Sequence, residues 1–146
     1  MKYYIKKYSF IAVIESMVIF GCGAYITQTE QRALDAIEDL KEWDPNTLAP
    51  YLKCYKWEEF QEMWSEHLKC YRKMRNICKE RVNLISCPVF LLGGGKDPLG
   101  PPEHAQFLSK EIRNIKVHIF PEGGHNVHHV YENEFNSMVQ DFFLNN

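Results

Sequence analysis

No apolar run in this 146-residue chain approaches the roughly 18 residues that a membrane-spanning helix needs. A basic excess is missing as well: 17 Lys and Arg stand against 19 Asp and Glu, leaving a net charge of −2. That balance argues against a general nucleic-acid binder. The cysteines (Cys22, Cys54, Cys70, Cys78 and Cys87) are odd in number and include no C-x-x-C pair. A secreted disulfide framework or a structural zinc site would show even, closely paired spacings, so reduced thiols are expected. An intracellular location, cytoplasmic or mitochondrial, is expected. No internal repeat or low-complexity tract is present. The remainder is ordinary for one globular domain: 45% hydrophobic and 25% charged residues.

The first twenty residues imitate a leader. Lys2, Lys6 and Lys7 precede the apolar stretch from Phe10 to Phe20, and Gly21, Gly23 and Ala24 follow. Glu15 and Ser16 interrupt that stretch, and a charge inside a leader's apolar segment is unfavourable. A short buried strand ending at Gly21 is the better reading.

Local signals divide the rest of the chain. Met17-Val18-Ile19-Phe20 running into Gly21-Cys22-Gly23 reads as a strand and turn. Thr27-Gln28-Thr29-Glu30 fits a capping box, and Ala33, Ile37 and Leu40 continue at helical spacing. That spacing predicts a helix to about Trp43, stopped by Asp44-Pro45. A short helix is expected over Leu48 to Tyr55, then a longer one carrying Trp57, Phe60, Trp64, Leu68, Tyr71 and Cys78. This block is acidic early and basic late, which reads as solvated helix faces. The last third changes character. Val89-Phe90-Leu91-Leu92 is a strand entering Gly93-Gly94-Gly95-Lys96-Asp97-Pro98. A helix from near Pro102 should carry Ala105, Phe107, Leu108 and Ile112. The strand Val117-His118-Ile119-Phe120 leads into Pro121-Glu122-Gly123-Gly124-His125, and a final helix holds Val130, Phe135, Met138, Val139 and Phe142. This alternation predicts an α/β fold with three parallel strands, about 16–20, 88–93 and 116–120.

Several motifs fail on detail. Gly93-Gly94-Gly95-Lys96 lacks the Gly that a phosphate loop needs where Phe90 stands, and the Ser or Thr needed where Asp97 stands. The dinucleotide fingerprint would need Gly in place of Pro98. His125, His128 and His129 match neither common zinc-helix pattern, because His128 replaces the required Glu; packing is the expected role of His128, and no metal or other cofactor is implied. The strongest pair is Asp97 and His125. Each follows a predicted parallel strand directly, at the carboxyl ends where open α/β sheets hold ligands. An Asp accepting from His Nδ1–H would fix the tautomer and leave Nε2 as a general base. The bland alternative is that Asp97 caps its loop and His125 fills a turn.

Gly95-Lys96-Asp97-Pro98-Leu99 and Pro121-Glu122-Gly123-Gly124-His125-Asn126 resemble the acid and histidine loops of the α/β-hydrolase superfamily. Within it the chain is most similar to the valacyclovir hydrolase (biphenyl hydrolase-like) group. Met17-Val18-Ile19-Phe20-Gly21, Ala24-Tyr25-Ile26-Thr27, Cys87-Pro88 and Glu134-Phe135-Asn136 extend the likeness to about residues 8–144. The resemblance implies the C-terminal part of that fold: strand and turn over 1–24, a helical cap over 25–82, and strand–helix–strand–helix over 83–146. It also implies Asp97 as triad acid, His125 as triad base, and hydrolysis of a carboxylic (amino-acid) ester or related acyl bond. The amino-acid preference does not carry over, because the acidic group expected to hold the amine lies near the missing nucleophile.

The departure from the family is the nucleophile. Its serine sits on a G-x-S-x-G elbow before the acid and histidine. Ser9, Ser16, Ser65, Ser86, Ser109 and Ser137 all lack those flanks. Lys7-Tyr8-Ser9 resembles the tail of the helix after the elbow, so the chain is expected to begin just beyond the nucleophile, as a truncated and inactive product. Cys22 is a poor substitute, since G-x-C-x-G would need Gly where Phe20 and Ala24 stand. Two functional expectations follow. One is a serine-hydrolase fragment whose small-molecule ester site needs completion; the other is a non-catalytic binding or interaction module derived from that fold. No nucleic-acid or membrane partner is expected, and self-association through an exposed edge near Met17–Phe20 is.

Overall fold

The computed structural model describes residues 14–74 and 76–146. Most of the leader-like segment, and the Lys7-Tyr8-Ser9 likeness, lie outside the described residues. Three parallel strands form one sheet in the order β1 (Met17–Phe20), β2 (Val89–Gly94) and β3 (Ile115–Phe120). Met17 pairs with Val89, and Val89 with Ile115, so all three strands start level and end at one edge. The expected α/β class and strand positions are found within a residue or so.

Alternation along β2 explains the layering, because successive side chains of a strand point to opposite faces. Val89 and Leu91 pack with Ala105, Leu108 and Ile112 on one face. Phe90 and Leu92 pack with Phe120, Val127, Phe135 and Phe142 on the other. The first face is covered by α4 (Pro102–Glu111), and the second by α5 (Val127–Val130) and α6 (Glu132–Leu144). Burial on both faces makes β2 a continuous apolar run, the pattern of a central parallel strand. Each of Phe90, Leu91 and Leu92 is buried, which is worth roughly 1.5–3 kcal/mol per side chain.

Between β1 and β2 lie α1 (Gln28–Ala36), α2 (Pro45–Leu52) and α3 (Trp57–Lys73). The capping box at the start of α1 is formed: Glu30 N–H donates to Thr27 Oγ1, and Thr27 N–H donates to the Glu30 carboxylate at 2.7 Å. The helix ends sooner than its spacing predicts. At Ile37 the carbonyl leaves the helix and accepts the indole N–H groups of both Trp43 (2.9 Å) and Trp64 (2.8 Å). A 3-10 turn at Leu40–Glu42 follows. Asp44 therefore begins α2 rather than ending α1, accepting from Asn46 and Thr47 N–H with Pro45 in the first turn. Leu40, Leu48 and Phe60, with Trp43, Trp57 and Trp64, make a separate core for these helices. Cys78 falls beyond α3, where its N–H and that of Ile77 both donate to the Ala24 carbonyl. Val130 is exposed rather than in the core, because the chain breaks at Tyr131 between α5 and α6. No helix among the described residues is long and apolar enough to cross a membrane.

Candidate active site

The glycine run that ends β2 and enters the next loop has a packing purpose, and that purpose creates the site. A Cβ at Gly94 would overlap the carbonyl oxygens of Gly123 and Gly124, and one at Gly95 would meet the Pro121 carbonyl. Gly95 N–H donates to Phe120 O at 2.8 Å, and Lys96 N–H to Gly123 O at 2.9 Å. The loops leaving β2 and β3 are thus laced backbone to backbone, and a Lys96–Glu122 ion pair spans them at the surface.

Asp97 and His125 meet where these loops leave the sheet. His125 Nδ1 lies 3.1 Å from Asp97 Oδ2 and 3.2 Å from Oδ1. Asp97 Oδ1 also accepts from the backbone N–H of Leu99 (2.8 Å) and Gly100 (2.9 Å). The carboxylate side chain is only 2% exposed, whereas the imidazole is 39% exposed. A carboxylate held by donors from three residues is fixed in place, and the imidazole on it keeps its Nε2 edge available. Burial pushes the Asp97 carboxyl up, but hydrogen bonds from His125, Leu99 and Gly100 outweigh it and leave the pKa below the usual carboxylate value. The hydrogen bond to Asp97 raises the His125 pKa above its ordinary value; burial opposes this and the Asp97 charge assists.

The end of β1 approaches the same imidazole. Gly21 has φ of +54°, a left-handed conformation that suits glycine, and a Cβ there would stand 3.3 Å from His125 Cε1. Cys22 follows directly, yet no hydrogen bond among the described residues joins it to His125. Although Cys22 is solvent-exposed, the surrounding chain and the neighbouring Cys78 push its thiol pKa up, the opposite of an activated nucleophile. His128 packs against Phe20 with ring centroids 4.9 Å apart and against His129 at 4.1 Å. Burial, then the charges of His129 and His125, hold its pKa down. Among the described residues no group of His, Cys, Asp and Glu is arranged to hold a metal ion.

Sequence reasoning missed a second acid–histidine contact. Glu30 Oε2 lies 2.9 Å from His104 Nε2, and both residues are 1% exposed. The pair joins α1 to the start of α4, just after the Asp97 loop, and the missing side chain of Gly23 makes room for the His104 ring. The available signal was a histidine within the apolar face that carries Ala105 and Leu108. Tyr71 lies on α3. Burial, then the charges of Glu30 and Asp97, raise its phenol pKa.

No family model matches the chain. Two curated relatives do, both named serine hydrolase BPHL: the human protein is 33% identical and the mouse protein 34%, each over 134 residues and 88% of this chain. The chain spans about half, 46%, of the length of these relatives. Among solved structures, a meta-cleavage product hydrolase from Pseudomonas fluorescens aligns over 90% of this chain and 56% of its own, with a TM-score of 0.66 and 17% identity. An esterase from Exiguobacterium antarcticum aligns over 88% and 56%, with a TM-score of 0.58 and 16% identity. At such low identity these two speak for the fold alone. The chain has the C-terminal part of the α/β-hydrolase fold, and within that superfamily it resembles the serine hydrolases of the valacyclovir hydrolase group.

Proposed function

We propose that Asp97 and His125 are the acid and base of a serine-hydrolase site for small carboxylic esters, and that this chain alone does not complete it. The observation that carries the reading is the bond from His125 Nδ1 to a buried, backbone-anchored Asp97 at 3.1 Å. In that role the carboxylate sets the tautomer, and Nε2 takes the proton from an attacking serine hydroxyl. The imidazolium then protonates the leaving alcohol, and a water activated by His125 releases the acyl group. The chain carries no serine in a G-x-S-x-G frame, so the hydroxyl must come from outside it. The helices between β1 and β2, within about 25–82, act in this reading as a cap over the cleft; the contact of Glu30 in α1 with His104 in α4, the helix that follows the Asp97 loop, supports that placement.

Loss of the nucleophile alone costs about 10⁶ in kcat in well-studied serine hydrolases, so the isolated chain is expected to be inactive. A fluorophosphonate probe tests this with the purified protein. No covalent labelling is expected. Labelling that His125→Ala abolishes would show a nucleophile within the chain and overturn the proposed incompleteness.

A further inference from the structure

Two exposed cysteines lie where the helical insertion begins and ends. Cys22 sits in the turn after β1, and Cys78 lies beyond α3. The backbone brings these places together: Tyr25 and Asn76 form an antiparallel bridge, and Cys78 N–H donates to Ala24 O at 3.0 Å. Ala24 is two residues from Cys22, so the two cysteines lie on backbone segments that meet at Ala24. Burial, then the charge of Cys78, raises the Cys22 thiol pKa. Both residues are exposed.

We infer that Cys22 and Cys78 form a redox-sensitive pair, converted to an intramolecular disulfide by a low-molecular-weight disulfide such as glutathione disulfide. One protein thiolate attacks the reagent's S–S bond, forming a mixed disulfide and expelling one small thiolate. The second protein thiolate attacks the protein sulfur of that mixed disulfide and expels the other. The protein sulfurs lose two electrons, the reagent gains them, and the two thiol protons pass to the expelled thiolates. Oxidation would fasten the end of the insertion to the turn that holds Gly21 against His125. Because the bond closes a loop of roughly 55 residues, it should raise Tm by about 5–15 °C.

The test is incubation of the full chain with glutathione disulfide, followed by intact mass and non-reducing peptide mapping. The expected result is a loss of about 2 Da, one linked peptide pair containing Cys22 and Cys78, and reversal by dithiothreitol. Cys22→Ser and Cys78→Ser should each abolish the linked pair, while Cys54→Ser leaves it intact. Stable glutathione adducts on either cysteine without the internal bond, linkage of a different pair, or no reaction would each overturn the inference. Peptide mapping needs no enzymatic activity, so the outcome is independent of the proposed hydrolase role.

Discussion

His125 Nδ1 lies 3.1 Å from Asp97 Oδ2, although the two are 28 positions apart in the chain with a complete helix between them. Parallel pairing of β2 with β3 puts both strand ends at one edge, and the glycine-to-carbonyl contacts then bring the two loops into register. The consequences of that construction can be measured.

Gly94→Ala should separate the loops. Its new methyl has no space against the Gly123 and Gly124 carbonyls, which are backbone and cannot rotate away. A destabilisation of about 2–3 kcal/mol is expected from such overpacking, read as a lower urea midpoint. An unchanged midpoint would mean that the close approach does not constrain the loops.

Gly21→Ala should cost about 1–2 kcal/mol, because a side chain is strained at φ of +54°. Its methyl would also press on His125 Cε1, so the imidazole resonances should move while those of His118 stay. Stability equal to the parent chain would contradict the left-handed turn.

His104→Ala should be more damaging than a surface change. It strips the buried Glu30 carboxylate of its His104 partner and, among the described residues, leaves the Thr27 N–H donating to it. Leaving a buried hydrogen-bonding group without its partner costs about 1–3 kcal/mol, visible in thermal or urea unfolding. A loss below about 1 kcal/mol would show that the contact contributes little.

β1 pairs only with β2 among the described residues, and Phe20 at its end is 40% exposed. An apolar parallel edge of this kind favours association. The chain is expected to run as a dimer or larger species in light scattering; a monodisperse monomer at micromolar concentration would count against it.

Much of this arrangement is legible in the sequence. The apolar runs of β2 and β3 and the glycine-rich turns after them announce parallel strands, and Asp97 and His125 stand directly behind those strands. The Thr27–Glu30 capping box is equally local and equally readable. What escapes is long-range competition for backbone groups. Spacing carries the first helix on to Trp43, but the Ile37 carbonyl accepts from two tryptophans, one of them 27 residues away. The Glu30–His104 contact likewise spans 74 residues and leaves no periodic trace. Gly93-Gly94-Gly95 imitates a phosphate loop because close backbone approach demands glycine whether the neighbour is a ligand or another loop.

The most direct measurement is the NMR titration of His125 in the parent chain and in Asp97→Asn. Its folded pKa is raised, so its contribution to stability is complete below the ordinary histidine value and is lost as pH rises through the folded value. Asp97 has a lowered pKa, so its contribution is present above the ordinary carboxyl value and is lost as pH falls through the folded one. Between these limits the imidazolium–carboxylate pair is intact. The account predicts a His125 pKa above 6.5, a neutral ring protonated at Nδ1, and a fall in pKa on Asp97→Asn. A pKa at or below 6.5 that ignores the substitution, or a neutral ring protonated at Nε2, would contradict it.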